Sequence, residues 1–290
     1  MGKVAALARL TRIEHSLMLL IAVLAAELIS GRLPGPFILA MSLITPVLVS
    51  AGSFAINDYF DVEADRANRH MRRPLVSGKL SRREALYYAA ALLVAGPVAS
   101  LFINPYAFAI AVIFSALAFL YSYRLKDMLL VGNVYIAASM AIPFLYGNLV
   151  VSGSFADSIL LVSVVIFLSG LAREIHGMVR DRRGDRSTRG SRNLVHHVGA
   201  ESASYMALIL YAEAIAISVY MFLLYPPFAY NLVYMIPIAA VDLMLAYVAV
   251  GQLFMGGDLR FQRLSRNLSL AAMAIALLAY LASAIFYLAA

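Results

Sequence analysis

Long apolar stretches constrain this chain more than any other feature of its sequence. Hydrophobic residues make up 63% of its 290 residues and charged residues 13%, and the mean hydropathy is +0.84. A helix of about 20 apolar residues crosses a bilayer and satisfies its own backbone hydrogen bonds there. The sequence therefore predicts an all-α membrane protein with nine transmembrane helices in a bundle around a central cavity. The predicted helices cover residues 16–31, 36–56, 85–103, 105–123, 131–151, 157–176, 204–225, 230–250 and 268–288.

The basic residues are distributed unevenly among the connections of these helices. All but one of the 23 Lys and Arg lie in the N-terminal segment, in the 2–3, 4–5, 6–7 and 8–9 connections, or at the adjoining helix ends. The exception is Arg32, in the 1–2 connection. The positive-inside rule places the N-terminus and those four loops in the cytoplasm and the C-terminus outside, in a multi-pass protein of the cell membrane. Since this rule already accounts for the pI of 9.6, we expect no nucleic-acid partner.

Two acidic clusters follow the second and sixth apolar stretches. They consist of Asn57, Asp58, Asp61 and Asp65, and of Asp181 and Asp185. In a helix, side chains four residues apart share a face, so Asn57, Asp61 and Asp65 line one face and Asp58 points away from it. Carboxylates stacked in this way need a cation between them. Oxygen ligands in a chain without cysteine favour a hard ion such as Mg²⁺.

The order of spans and loops occurs twice along the chain. Each time, a long loop with an acidic cluster and arginines follows a span, and two further spans lead to a short basic loop. This pattern predicts two pseudo-repeated four-helix units plus one helix, within a single domain of residues 1–290. Both acidic clusters then belong to cytoplasmic loops that cap one cavity.

Carboxylates on opposed helices suit the binding of a diphosphate through Mg²⁺. Such ions neutralise the oxygens of a leaving pyrophosphate, and arginine and lysine complete the charge balance. An apolar cavity beneath this cluster suits a polyprenyl tail. Taken singly, each acidic cluster is also typical of a solvated, salt-bridged loop, but the presence of both favours a metal site.

The chain resembles the UbiA-type intramembrane prenyltransferases over nearly its whole length. The resemblance rests on the N-D-x-x-D-x-x-x-D motif that begins at Asn57 and the D-x-x-x-D motif that begins at Asp181. Further matching features are Arg73-Pro74-Leu75 with Ser77-Gly78, the segment from Tyr121 to Lys126, and Gly132-Asn133. The resemblance implies Mg²⁺-dependent transfer of a polyprenyl group, with geranylgeranyl as the expected one, from a prenyl diphosphate to an acceptor. Pyrophosphate would leave and an allylic carbocation would form.

The resemblance also implies roles for individual residues. The metal-diphosphate would be held by Asn57, Asp61, Asp65, Asp181 and Asp185, with Asp58 a weaker candidate ligand. Contacts with the phosphates would come from Arg66, Arg72, Arg73 and Lys126. Tyr121 would face the developing cation as a catalytic residue, although a place in the interfacial aromatic belt is an equal alternative. His176 is interpreted as a hydrogen-bonded structural histidine, with a catalytic role as the weaker alternative.

The acceptor and one other functional class stay open at this point. The stretch from Leu171 to Ile175 and the segment from Gly184 to Arg186 resemble members that prenylate geranylgeranylglyceryl phosphate for ether lipids. They also resemble members that prenylate aromatic acids such as 4-hydroxybenzoate for quinones. Met178 stands where many relatives have a further aspartate, which leaves a more basic rim that suits an anionic acceptor, either a phosphate or a benzoate. The lipid phosphate is slightly favoured. A polytopic transporter with acidic and basic groups is the alternative of another class.

Overall fold

The structure is a computed structural model that describes residues 3–12, 14–188 and 194–289, without the side chains of residue 14 and residues 181–188. Regular structure in this part of the chain consists of ten α-helices and one short 3₁₀ turn, Leu125–Asp127. The α-helices are α1 (Lys3–Leu10), α2 (Glu14–Ile29), α3 (Pro36–Ala67), α4 (Arg82–Ser100), α5 (Pro105–Tyr123), α6 (Val131–Val151), α7 (Asp157–Thr188), α8 (Leu194–Leu224), α9 (Leu232–Met255) and α10 (Leu259–Ala289).

A helix occupies each of the nine predicted segments, from α2 to α10. Among the described residues, seven of these helices are long and apolar enough to cross a membrane, so this is a multi-pass membrane protein. The other two are α2 and α4. With 16 residues, α2 is about 24 Å long, shorter than the roughly 30 Å of a bilayer core. The first turn of α4 carries Arg82, Arg83 and Glu84, which lower its hydropathy. The count of nine spans therefore stays a prediction.

The two helices that carry the acidic clusters are the longest in the bundle. Each has 32 residues, so α3 and α7 continue for about three turns beyond the predicted ends of their spans. The acidic clusters thus lie on helical extensions rather than in loops. The most extensive packing of α3 is with α4 and that of α7 is with α8. This correspondence fits two related four-helix units, α2–α5 and α6–α9, with α10 added.

A small apolar cap covers the end of α3 that carries the first cluster. Leu10 of α1, together with Leu75 and Leu80 of the α3–α4 connection, is buried against this end of α3. The connection is folded tightly, because the carbonyl of Pro74 accepts the backbone N–H of Leu80 at 3.3 Å. Gly78 adopts a φ of +71° in the same turn, a conformation that glycine accommodates readily. The cap therefore fixes the connection against the end of α3.

Close helix contacts in the bundle depend on small residues, as is common in membranes. A Cβ on Gly147 of α6 would lie 2.8 Å from the backbone carbonyl oxygen of Val23 in α2. We expect Gly147→Ala to destabilise the fold by about 1–3 kcal/mol, because α2 and α6 must separate. Thermal unfolding in detergent measures this. The control is Gly153→Ala, where a Cβ meets nothing within 4 Å; equal melting temperatures for both variants would contradict the prediction.

Candidate active site

A cavity of about 530 Å³ runs through the middle of the bundle. It is lined mainly by apolar side chains from α2, α3 and α5–α10. Along α3 it extends from Asn57 to Thr45, a helical rise of about 18 Å. At the Asn57 end, Arg12, Arg173 and Glu174 also reach its wall. The cavity is therefore mostly apolar, with its arginines at the end where α3 and α7 leave the apolar bundle, and Ser218 of α8 and Asp242 of α9 also line it.

Two carboxylates of the first cluster meet one arginine. Nη1 of Arg73 lies 2.6 Å from Oδ1 of Asp58 and 2.7 Å from Oδ2 of Asp65. Both carboxylates are buried. Arg12 adds a second cation 3.2 Å from Asp58, and His70 lies 3.1 Å from Asp65. The buried leucines of the cap thus hold Arg73 at a position where it neutralises two acidic groups of α3.

The helical period explains why Asp65 joins Asp58. Each step of four residues turns the side-chain direction by about 40°, so Asp65 is rotated by about 80° from Asn57. A step of seven residues leaves Asp58 and Asp65 only about 20° apart. The predicted common face of Asn57, Asp61 and Asp65 is therefore corrected: Asp65 faces Arg73 together with Asp58. The metal-binding role of Asp65 stays a prediction.

Asp61 faces a different partner across the bundle. Nζ of Lys126 donates a hydrogen bond to Oδ1 of Asp61 at 2.5 Å, and both side chains are largely buried. Lys126 belongs to the 3₁₀ turn before α6. A Cβ on Gly132 would lie 3.0 Å from the Cα of Lys126, so glycine at this position lets α6 begin close beside the turn. Gly132 thus has a packing reason, since it lets α6 begin beside the turn from which Lys126 reaches Asp61.

Tyr121 lines the cavity. Its ring is stacked on that of Tyr135, with centroids 4.7 Å apart and an angle of 26° between the planes. Of the two alternatives for Tyr121, the structure therefore favours the cavity over the interfacial belt. Stacking fixes the orientation of the ring, and the π-face of an aromatic ring attracts a cation.

The other predicted phosphate and metal ligands lie in two different settings. Arg66 is exposed and pairs with Glu63 at 3.2 Å, and Arg72 is also exposed. Asp181 and Asp185 belong to the last turns of α7, but their side chains lie outside the described residues. The roles of these four site residues stay predictions.

Two polar groups of this region, Arg12 and His176, differ from what the sequence predicts. Arg12 was not among the predicted site residues, although it contacts Asp58 and lies 4.7 Å from the ring centroid of Phe54. The predicted hydrogen bond of His176 is not found among the described residues. Both of its ring nitrogens are buried, and neither has a partner there. Arg12 lies four residues before the first predicted span, a position at which an arginine is ordinarily assigned to membrane orientation.

Comparison with known proteins places this geometry in a family. The UbiA prenyltransferase family matches residues 18–255 of the chain. The chain belongs to the UbiA prenyltransferase family. The family resemblance inferred from the two acidic motifs is thereby confirmed, as is the all-helical membrane fold. Membership also favours an enzyme over the alternative of a transporter.

Individual members of the UbiA family show how far the similarity extends. The chain is 39% identical over 282 residues to a digeranylgeranylglyceryl phosphate synthase of Archaeoglobus fulgidus, covering 95% of this chain and 94% of that protein. A solved structure of a digeranylgeranylglyceryl phosphate synthase has a TM-score of 0.82 and 29% identity, covering 99% of this chain and all of the other. A UbiA homolog from Archaeoglobus fulgidus bound to GPP and Mg²⁺ has a TM-score of 0.71 and 23% identity, with 98% and 100% coverage.

Proposed function

We propose that this protein transfers a geranylgeranyl group from geranylgeranyl diphosphate to geranylgeranylglyceryl phosphate, with release of pyrophosphate. The observation that carries the proposal is the cavity, whose lining is mostly apolar and whose arginines lie at the Asn57 end. Such a shape suits a diphosphate with a polyprenyl tail. The synthase name of the relative that is 39% identical supports the acceptor, and the aromatic acceptor is the alternative that the experiment below decides.

The residues present on the two long helices, α3 and α7, include oxygen ligands of the kind that a magnesium site needs. In the part of the chain that the structure describes, no group of three or more His, Asp and Glu side chains is close enough to hold a metal ion. Asn57 and Asp61 lie one turn apart on α3 and supply oxygen atoms, the ligands that Mg²⁺ prefers. Further oxygen ligands would come from Asp181 and Asp185 on α7. When bound, Mg²⁺ would neutralise the negative charge that develops on the departing pyrophosphate.

The protein's own residues would direct the reaction as follows. Lys126, next to Asp61, would donate a hydrogen bond to the diphosphate and stabilise its negative charge. The stacked ring of Tyr121 would lie beside carbon one of the prenyl group as the bond to oxygen breaks. Apolar cavity walls would hold the tail and exclude water from the cation. The acceptor hydroxyl oxygen would then bond to carbon one, and its proton would leave.

We further propose that this polar end faces the cytoplasm. Arg12, Arg73 and Lys126 all contact the first acidic cluster, so the segments that carry them meet at one end of the bundle. These segments belong to the basic connections of the chain. The positive-inside rule then places this end in the cytoplasm and the C-terminus outside. Phosphorylated substrates with their heads in the aqueous phase would enter there.

An acceptor panel tests the proposed function. Purified protein in detergent is incubated with labelled geranylgeranyl diphosphate, Mg²⁺ and either geranylgeranylglyceryl phosphate or 4-hydroxybenzoate. We expect a doubly prenylated glyceryl phosphate with the first acceptor, and no product when EDTA removes the metal. Faster turnover of 4-hydroxybenzoate would overturn the assigned acceptor. The absence of prenylated product with both acceptors would overturn the function.

A further inference from the structure

A second, smaller cavity of about 200 Å³ adjoins the main one between α6, α7, α8 and α10. We call it the arginine chamber, because Arg173, Arg180 and Arg266 all line it. Glu174 is the carboxylate among its described lining residues, so the formal charge of this lining is positive. Arg180 and Arg266 are exposed, and Nη2 of Arg180 lies 3.8 Å from the position that a Cβ would take on Gly177. The chamber thus has a cationic wall.

Buried polar groups inside the chamber have no partner in the described part of the chain. His176 is 6% exposed, and neither of its ring nitrogens has a hydrogen-bond partner. The hydroxyl of Tyr211 and Nε of Arg173 are likewise buried without a partner. The large majority of buried polar side-chain atoms in proteins have a hydrogen-bond partner. Buried donors without a described partner, on residues that line one cationic space, indicate a place for an anion that accepts several hydrogen bonds.

The two cavities share a wall. Arg173, Glu174, Tyr211 and Ser269 line both of them. A molecule with its anionic group in the arginine chamber can therefore extend past this wall into the main cavity. Asn57 and Tyr121 line the main cavity and do not line the chamber. The donor's reaction centre and the chamber are thus separate but adjoining.

We propose that the arginine chamber binds the phosphate monoester of the acceptor. This inference rests on the proposed function and deepens it: the donor diphosphate binds at Asn57 and Asp61, and the acceptor phosphate binds among Arg173, Arg180 and Arg266. The acceptor's free hydroxyl then reaches the main cavity across the shared wall. Two anionic groups are held apart by separate sets of cations, so each substrate has its own phosphate site.

Met178 supplies an independent chemical argument. It also lines the chamber, where its side chain is neutral. A carboxylate at this position would oppose the arginines and repel a phosphate. Met178→Asp should therefore weaken acceptor binding. Met178→Asn introduces a side chain with the shape of aspartate but without its charge, so it should weaken acceptor binding much less.

The test compares Arg266→Gln with Arg263→Gln in the full-length protein. Both arginines are exposed on α10, but Arg266 lines the chamber and Arg263 is not among its lining residues. We expect Arg266→Gln to raise the KM for geranylgeranylglyceryl phosphate by about 10- to 100-fold, the effect of losing a hydrogen bond to a charged group. The KM for geranylgeranyl diphosphate should not change, and Arg263→Gln should behave as the unaltered protein.

A phosphate-free acceptor, geranylgeranylglycerol, separates phosphate recognition from general damage. Its turnover should be the same in Arg266→Gln, Met178→Asp and the unaltered protein. An unchanged KM for geranylgeranylglyceryl phosphate in Arg266→Gln, or a raised KM for the donor instead, would overturn the inference. If the unaltered protein forms no product, the proposed function fails. Direct binding of labelled geranylgeranylglyceryl phosphate to the same variants then decides whether the chamber holds the phosphate.

Discussion

Asp61→Asn is expected to lower kcat for prenyl transfer on the order of 10²- to 10³-fold, the range found when one charge-stabilising group is removed from an active site. The physical reason is that an amide keeps the shape of the carboxylate but cannot supply its negative charge to Mg²⁺. Asp61 is also the partner of Lys126, so the substitution frees a cation beside the bound diphosphate. Initial rates with labelled geranylgeranyl diphosphate measure the effect.

The matched control for Asp61→Asn is Glu63→Gln. Glu63 lies on the same helical extension of α3, but its side chain is 66% exposed and pairs with Arg66 at 3.2 Å and Arg82 at 3.5 Å. Surface ion pairs of this kind contribute little to stability, and Glu63 is not among the residues that line the cavity, so the rate should stay near that of the unaltered protein. Equal rates for Asp61→Asn and the unaltered protein would show that Asp61 is not part of the metal site.

The second large effect concerns Arg73. Arg73→Met leaves Asp58 and Asp65 buried without the cation that joins them, and breaking a buried ion pair in this way costs about 3–5 kcal/mol. The expected result is a markedly lower melting temperature in detergent. Arg66→Met is the control, because Arg66 is an exposed arginine of the same region with an exposed partner.

Removing the two carboxylates tests the cause of this destabilisation. The triple variant combines Arg73→Met, Asp58→Asn and Asp65→Asn. It lacks the two carboxylate charges that repel each other, so most of the lost stability should return. Arg12, which lies 3.2 Å from Asp58 in the unaltered protein, remains as a second donor to position 58. If the triple variant melts as early as Arg73→Met, the destabilisation comes from lost packing of the arginine and not from buried charge.

Much of the fold could be predicted from the sequence because few backbone structures can cross a lipid bilayer. An apolar stretch in a membrane must be helical, and a helix is found in each of the nine predicted segments. Helix ends were less predictable. The polar sequence after residue 56 resembles a loop, yet α3 continues to Ala67, where the apolar cap of Leu10, Leu75 and Leu80 packs against it. Such tertiary contacts have no signal in the local pattern.

Part of the candidate site could also be predicted from the sequence. Spacing identified the acidic residues, but it could not select their partners, since Asp61 meets Lys126 from 65 residues away. The helical period itself turns Asp65 towards Arg73, because successive four-residue steps rotate around the helix and do not follow one straight line. The arginine chamber was not predictable as a cavity, because α6, α7, α8 and α10 all contribute to it.

We infer that α3 and α7 together bind one metal-diphosphate at the end of the apolar cavity. A crystal structure with Mn²⁺ and a non-reacting thio analogue of geranylgeranyl diphosphate tests it most directly, because anomalous scattering locates the metal. We expect a metal peak about 2.1 Å from an Asp61 oxygen, with Asp181 or Asp185 as a further ligand and the prenyl tail running past Tyr121 towards Thr45. A diphosphate bound without metal between α3 and α7, or a tail outside the cavity, would contradict the account.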